Sequence, residues 1–176
     1  MSGHLRSCGC HLDRRRFLTL ASSFGVTAAL PSAAIAQANE DVETLLLICN
    51  EPRVWQNANN YMKTRSLADK YRPVEVEGAA IGLVAEQYQS SRPDFWKTVM
   101  AASAFQQTRR VIALNHRGCS AMKVAYGLAK ISDKLIETET HRYSLQEFRR
   151  QMAERNAALD VEIGLIGLDG KVEMFR

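Results

Sequence analysis

Residues 109–119 read RRVIALNHRGC. Four apolar residues, Val111 to Leu114, run without alternation and stop at an Asn-His-Arg-Gly turn. A short continuous apolar run of this kind fits a parallel strand buried on both faces. In open sheets of such strands, ligands gather just beyond the carboxyl ends. His116 and Cys119 therefore stand where chemistry is expected.

A second run of the same type lies upstream, at residues 44–49 (TLLLIC), and it too ends in a thiol, Cys49. Between the two, residues 53–71 carry Val54, Ala58 and Met62 at helical spacing and predict a helix over part of that range. Residues 72–78 alternate and predict a short strand ending at Gly78, whereas 79–90 fit no single element. The stretch from Ser90 predicts a helix, with Ser90 or Ser91 as cap, Pro93 in the first turn, and Phe95, Val99, Ala102 and Phe105 on one face.

After residue 119 a further helical run leads into a polar stretch, ETETHRYS. Ser144 and Glu147 then stand at capping-box spacing before the apolar stripe Leu145, Phe148, Met152. Asp169-Gly170 separates two alternating runs at the end and predicts a hairpin. The order implies a single α/β domain: a mostly parallel central sheet flanked by helices and closed by a C-terminal hairpin.

The chain has 176 residues and a net charge of +4, enough for one domain with a substantial core. Of its 23 Lys and Arg and 19 Asp and Glu, four arginines and one aspartate fall in the first 36 residues, which leaves 19 and 18. The basic balance thus belongs to the N-terminus, and no nucleic-acid footprint is expected, since that needs a clustered basic patch on the domain.

The same N-terminus has an arginine cluster (Arg14 to Arg16), a mildly apolar run, and small residues around Ala34 to Ala36. Those are the three regions of an export signal. Residues 13–18, DRRRFL, resemble the twin-arginine signal, which implies periplasmic delivery of a protein already folded and loaded. The expected division is a signal over 1–36, a flexible leader over 37–42, and a folded domain over 43–176, with cleavage after Ala36 or, second, Ala38. A general-secretory signal or an uncleaved amphipathic tail is the plainer alternative. Ser22, Ser23, Gly25 and Pro31 interrupt the apolar run, so no stable membrane insertion is expected once the signal is removed. Cys8, Cys10 and His11 lie in the part to be removed.

The remaining chain holds two cysteines, Cys49 and Cys119, and two histidines, His116 and His141. If the two long strands are neighbours, Cys49, His116 and Cys119 converge. Two thiolates and an imidazole suit zinc, and three protein ligands leave a fourth position open for catalysis. A disulfide between the two cysteines remains open as an alternative. His141 sits in the polar stretch and is expected to be a solvated loop residue. Trp55 and Trp96 are expected in the core or an interface, and Arg109 and Arg110 in solvent.

The elements CNEPR at 49–53, NHRGCSAMK at 115–123 and the closing LIGLDGKVE resemble the β-class carbonic anhydrases over roughly residues 43–175. The resemblance implies that Cys49, His116 and Cys119 are zinc ligands and that Glu51 and Arg53 form the catalytic pair. It implies reversible hydration of carbon dioxide to bicarbonate by zinc-bound hydroxide, whose parent water drops in pKa from about 15.7 to roughly 7. It also implies a homodimer or larger assembly.

The departures from the family pattern fall around the substrate. Glu51 replaces an aspartate and is one methylene longer; Pro52 stands where a serine is usual. The family's R-N-A-G-N-like segment is missing from VEVEGAAIG at 74–82. A catalytically silent zinc-binding or scaffold homologue, and a hydrolase of a related molecule such as carbonyl sulfide, are therefore kept beside the anhydrase.

Overall fold

A computed structural model describes residues 42–104 and 108–176. The expected export signal, the leader up to residue 41, the Cys8, Cys10 and His11 cluster, and Phe105 lie outside the described residues.

Among these, five strands form one sheet: β1 (Thr44–Ile48), β2 (Tyr71–Glu75), β3 (Arg110–His116), β4 (Asp160–Ile166) and β5 (Val172–Phe175). Their spatial order is β2-β1-β3-β4-β5. The first four run parallel, and β5 pairs antiparallel with β4 as the expected hairpin around Asp169-Gly170. The two apolar runs that end in Cys49 and His116 are thus direct neighbours, with Leu46 opposite Ile112 and Ile48 opposite Leu114.

Alternate side chains of these central strands feed two separate cores. Leu45, Leu47, Val111, Ala113, Ile163 and Leu165 face one side, and Leu46, Ile48, Ile112, Leu114 and Ile166 the other. Both faces must be covered, which is why the runs are continuous rather than alternating. Helix α1 (Pro52–Thr64) covers the second face with Val54, Ala58 and Met62. The first face is covered by α2 (Ala80–Val84), α3 (Arg92–Ser103), α4 (Ser120–Tyr126) and α5 (Lys134–Arg155). Right-handed crossovers explain the division. The chain steps from β1 to β2 in one direction, then reverses past β1 to reach β3.

Local chemistry sets the element ends. α1 opens with Glu51 as cap, its carboxylate accepting from the Arg53 N–H at 3.4 Å, and Pro52 in the first turn. It ends at Thr64, within the range where a partial helix was expected. The ambiguous stretch 79–90 forms α2 and a 3-10 turn at Glu86–Tyr88. Ser91 occupies the cap position of α3 without making a side-chain capping bond. In the core Trp96 stacks on Phe148, centroids 5.7 Å apart, and its Nε1–H donates to the Leu83 carbonyl at 3.1 Å.

The largest correction concerns α5. The polar stretch ETETHRYS is not a connection; it is the first half of a 22-residue helix. The cap is Asp133, whose Oδ1 accepts from the N–H groups of Leu135 at 2.8 Å and Ile136 at 2.9 Å. Ser144 therefore caps nothing. It is buried in mid-helix and bonds Tyr126 Oη and the Thr140 carbonyl. His141, expected in solvent, is fully buried. The helix buries Glu137, Thr138, His141 and Ser144 in its first half and Leu145, Phe148 and Met152 in its second. Its inner stripe is polar where hydrophobic periodicity would need it apolar.

Candidate metal centre

β1 ends at Ile48 and delivers Cys49 to the carboxyl edge of the sheet; β3 delivers His116 beside it. Three residues later Cys119 takes the cap position of α4, with extended φ −65° and ψ 126° and no side-chain capping bond. The turn between needs Gly118 at φ +68°, a left-handed conformation that favours glycine. This edge lies between β1 and β3, where the chain reverses its direction across the sheet. Open α/β sheets bind ligands at that point.

The Sγ atoms of Cys49 and Cys119 and a ring nitrogen of His116 lie within 4.8 Å of one another, and all three residues are buried. Both cysteines are free thiols rather than a disulfide. His116 Nδ1 contacts the Arg117 carbonyl at 3.0 Å. A carbonyl accepts, so the ring proton belongs on Nδ1 and the lone pair is left on Nε2. That Nε2 is buried with no hydrogen-bond partner among the described residues. A buried polar atom without a partner is costly, and metal ligation is what would satisfy it. A histidine whose second nitrogen is fixed by a backbone carbonyl is the usual arrangement for such a ligand.

The thiols are prepared in the same way. Cys49 is pulled below the ordinary thiol range, first by a hydrogen bond from Cys119, then by His116 and the Gly78 N–H, against the opposing effect of burial. Cys119 is pushed up, because its own thiol proton is held in the hydrogen bond it donates to the Cys49 sulfur and because it is itself buried. A divalent cation would replace that shared proton and take both sulfurs as thiolates. Two sulfurs and one imidazole form a donor set suited to zinc, so the residues present fit the ion.

Around the ligands, Gly78 donates its N–H to Cys49 Sγ at 3.3 Å. A Cβ on Gly78, whose φ is +72°, would stand 2.6 Å from the Ala121 Cβ. The segment from Gly78 to Gly82, which lacks the R-N-A-G-N-like polar element, is Gly-Ala-Ala-Ile-Gly and buried. Ala79 adopts φ +50° there. Tyr88 Oη donates to Glu77 Oε1 at 3.0 Å next to this segment.

Glu51 and Arg53 pair as a two-pronged fork, with Nε 2.9 Å from Oε1 and Nη2 3.1 Å from Oε2. Hydrogen bonds from Arg53 hold the Glu51 carboxyl down at about 2. Behind the turn a polar cluster appears that no sequence motif signalled: buried Asn115, Glu137 and His141, with half-buried Arg117. Trp96 is core, as expected, while Trp55 is 38% exposed. Arg110 is partly exposed and pairs with Glu162 at 3.2 Å and Asp160 at 3.7 Å.

No protein-family model matches the chain. It is 31% identical over 133 residues to an uncharacterised protein of Rickettsia bellii, covering 76% of this chain and 81% of the relative. A Rickettsia conorii protein, also uncharacterised, is 29% identical over the same length, covering 76% and 72%. Among solved structures, tetrameric β-carbonic anhydrases of Sordaria macrospora superpose with a TM-score of 0.52 at 12% identity over 92% of both chains. A carbonic anhydrase of Streptococcus mutans gives 0.50 at 16% identity, again over 92% of both. The chain belongs to one family with the Rickettsia bellii protein, and its fold is that of the β-carbonic anhydrases.

Proposed function

We propose that the protein is an exported zinc enzyme that interconverts carbon dioxide and bicarbonate. The observation that carries this reading is the convergence of Cys49, His116 and Cys119 within 4.8 Å at the carboxyl edge of the sheet. The fold shared with β-carbonic anhydrases supports it.

Cys49, His116 and Cys119 hold the ion, two as thiolates. Bound there, zinc would supply Lewis acidity. Glu51, kept ionised by Arg53, is placed two residues from Cys49 to orient the attacking water and accept its proton. The Arg53 fork fixes the carboxylate on one side: Oε1 accepts from both the Nε–H and the backbone N–H of Arg53, while Oε2 accepts from Nη2 and keeps a lone pair for that water. The sheet edge and the apolar Gly78–Gly82 segment exclude competing solvent.

The buried Gly-Ala-Ala-Ile-Gly run also favours a second reading, a catalytically silent zinc homologue, because it offers no polar side chain to a substrate. We further assign a homodimer or larger assembly, in keeping with the tetrameric Sordaria macrospora proteins. Delivery to the periplasm through the twin-arginine route rests on residues 13–18. Among the described residues no helix is long and apolar enough to cross a membrane.

The test is to express the chain from Gln37, measure zinc per protomer and follow carbon dioxide hydration by stopped flow. One zinc per protomer, lost in Cys49→Ser, with hydration well above the buffer rate, is the expected result. Zinc without hydration selects the silent homologue. No zinc in the parent overturns both readings. Replacing Arg14 and Arg15 by lysine should abolish delivery of a reporter fused after residue 38.

A further inference from the structure

The turn Arg117-Gly118, which separates two of the candidate ligands, is held from behind by one buried carboxylate. Glu137 Oε1 accepts the Gly118 N–H at 2.7 Å, and its Oε2 accepts from Arg117 Nη1 at 3.1 Å. Arg117 Nη2 also donates to Thr138 Oγ1 at 2.9 Å. The Glu137 residue is 6% exposed. Both of its oxygens thus bond the two residues lying between His116 and Cys119.

One turn further along α5, His141 faces the same way, since residues four apart share a helix face. Asn115 joins it to the other side of the site. Its Oδ1 accepts the Ala80 N–H at 3.1 Å, which leaves its Nδ2 to donate to His141 Nδ1 at 3.2 Å. The His141 proton therefore sits on Nε2, which is buried without a hydrogen-bond partner among the described residues and lies 4.0 Å from Glu137 Oε1. Ala80 is two residues from Gly78, whose N–H bonds Cys49. A single polar face of α5 therefore reaches both segments that present ligands.

An ion pair with a buried carboxylate contributes little to stability, because desolvation offsets the attraction. Apolar residues would fill this stripe with less penalty, as they do in the second half of the same helix. What the carboxylate adds is a fixed position for the turn.

We propose that Glu137 is a positioning residue for the metal turn, setting the His116–Cys119 separation through Gly118 and Arg117, with His141 and Asn115 registering α5 against the Cys49 side. This rests on the zinc reading above, and the test separates the two.

Three proteins are compared: the parent, Glu137→Gln, and Glu137→Gln with Arg117→Gln, the last removing the half-buried guanidinium that loses its Glu137 partner, if the single variant folds poorly. Exchange of the Gly118 amide is followed by NMR in the metal-free chain. Zinc affinity is then measured by chelator competition, and the visible spectrum of the cobalt(II) form is recorded. The expected result is Gly118 exchange at least about tenfold faster, zinc binding weakened about 10–100-fold, and a displaced cobalt band. Unchanged Gly118 exchange overturns the proposal. So does faster exchange with zinc affinity within about threefold of the parent and an unmoved cobalt band, because the carboxylate would then be merely structural. A parent that binds no zinc overturns the metal reading and the metal-positioning role with it, while Gly118 exchange still reports whether Glu137 holds the turn.

Discussion

The N–H of Gly78 donates to the sulfur of Cys49 at 3.3 Å, joining the end of β1 to the segment after β2. No side chain fits at residue 78, because a Cβ would press to 2.6 Å from Ala121 at the start of α4 and φ is +72°. Gly78→Ala should therefore cost about 2 kcal/mol or more, from backbone strain and overpacking together. It should also weaken zinc binding by moving the donor. Urea unfolding of the metal-free chain and chelator competition read the two effects separately. An unchanged midpoint would mean that the segment relaxes freely.

Glu51→Ala removes both the carboxylate proposed to accept the water's proton and the cap of α1. Zinc content should stay at the parent level, while hydration falls by roughly 10²-fold or more, the usual contribution of a positioned proton acceptor. Arg53→Ala should leave Glu51 ionising in the ordinary carboxylate range instead of near 2. The acid limb of the rate profile would then move to higher pH. Equal hydration in Glu51→Ala and the parent would remove Glu51 from the reaction.

His141 makes stability depend on pH. Burial first, then the neighbouring His116 and Arg117, push its pKa from 6.5 down to about 3. In the unfolded chain it takes a proton near 6.5, while in the folded chain it stays neutral until near 3. Its stabilisation is complete above 6.5 and drains away as pH falls through that window, by up to a few kcal/mol on the order of 1.4 per unit. The metal-free parent should lose urea resistance between pH 6.5 and 4 more steeply than His141→Gln. Parallel slopes would sink the assignment.

Asp133→Ala tests the start of α5. Loss of the two N–H bonds to Leu135 and Ile136 should cost about 1 kcal/mol. Ser144→Ala should not behave as the loss of a cap; its effect should depend on Tyr126, whose hydroxyl it meets at 3.1 Å. A double-mutant cycle with Tyr126→Phe measures that dependence.

The central sheet was legible because β1 and β3 are buried on both faces, which leaves a run of apolar residues that no helix period imitates. The ligand trio was legible for a related reason. Strand ends are marked by the change from apolar to polar, and Cys49, His116 and Cys119 stand on those marks. The first half of α5 was not. Its inner face is Glu137, Thr138, His141 and Ser144, which are buried by hydrogen bonding rather than by apolar transfer. A polar residue looks the same in sequence whether water or Asn115 satisfies it. The second strand was readable, although it ends at Glu75 and not at Gly78; the Gly78 contact to Cys49 was not, since it depends on how the segment after β2 lies beside the end of β1.

The strand order has a consequence for how the chain comes together. β1 lies between β2 and β3, yet β3 ends only at His116. One edge of Thr44–Ile48, five buried and mostly apolar residues, stays unpaired until more than sixty further residues have been synthesised. An uncovered apolar edge invites pairing with another chain, and closure across so long a stretch is slow. The step that brings β3 beside β1 both removes that hazard and brings Cys49 to His116. Metal capture would therefore report a completed sheet: a nascent chain that can hold the ion has already passed its most aggregation-prone stage.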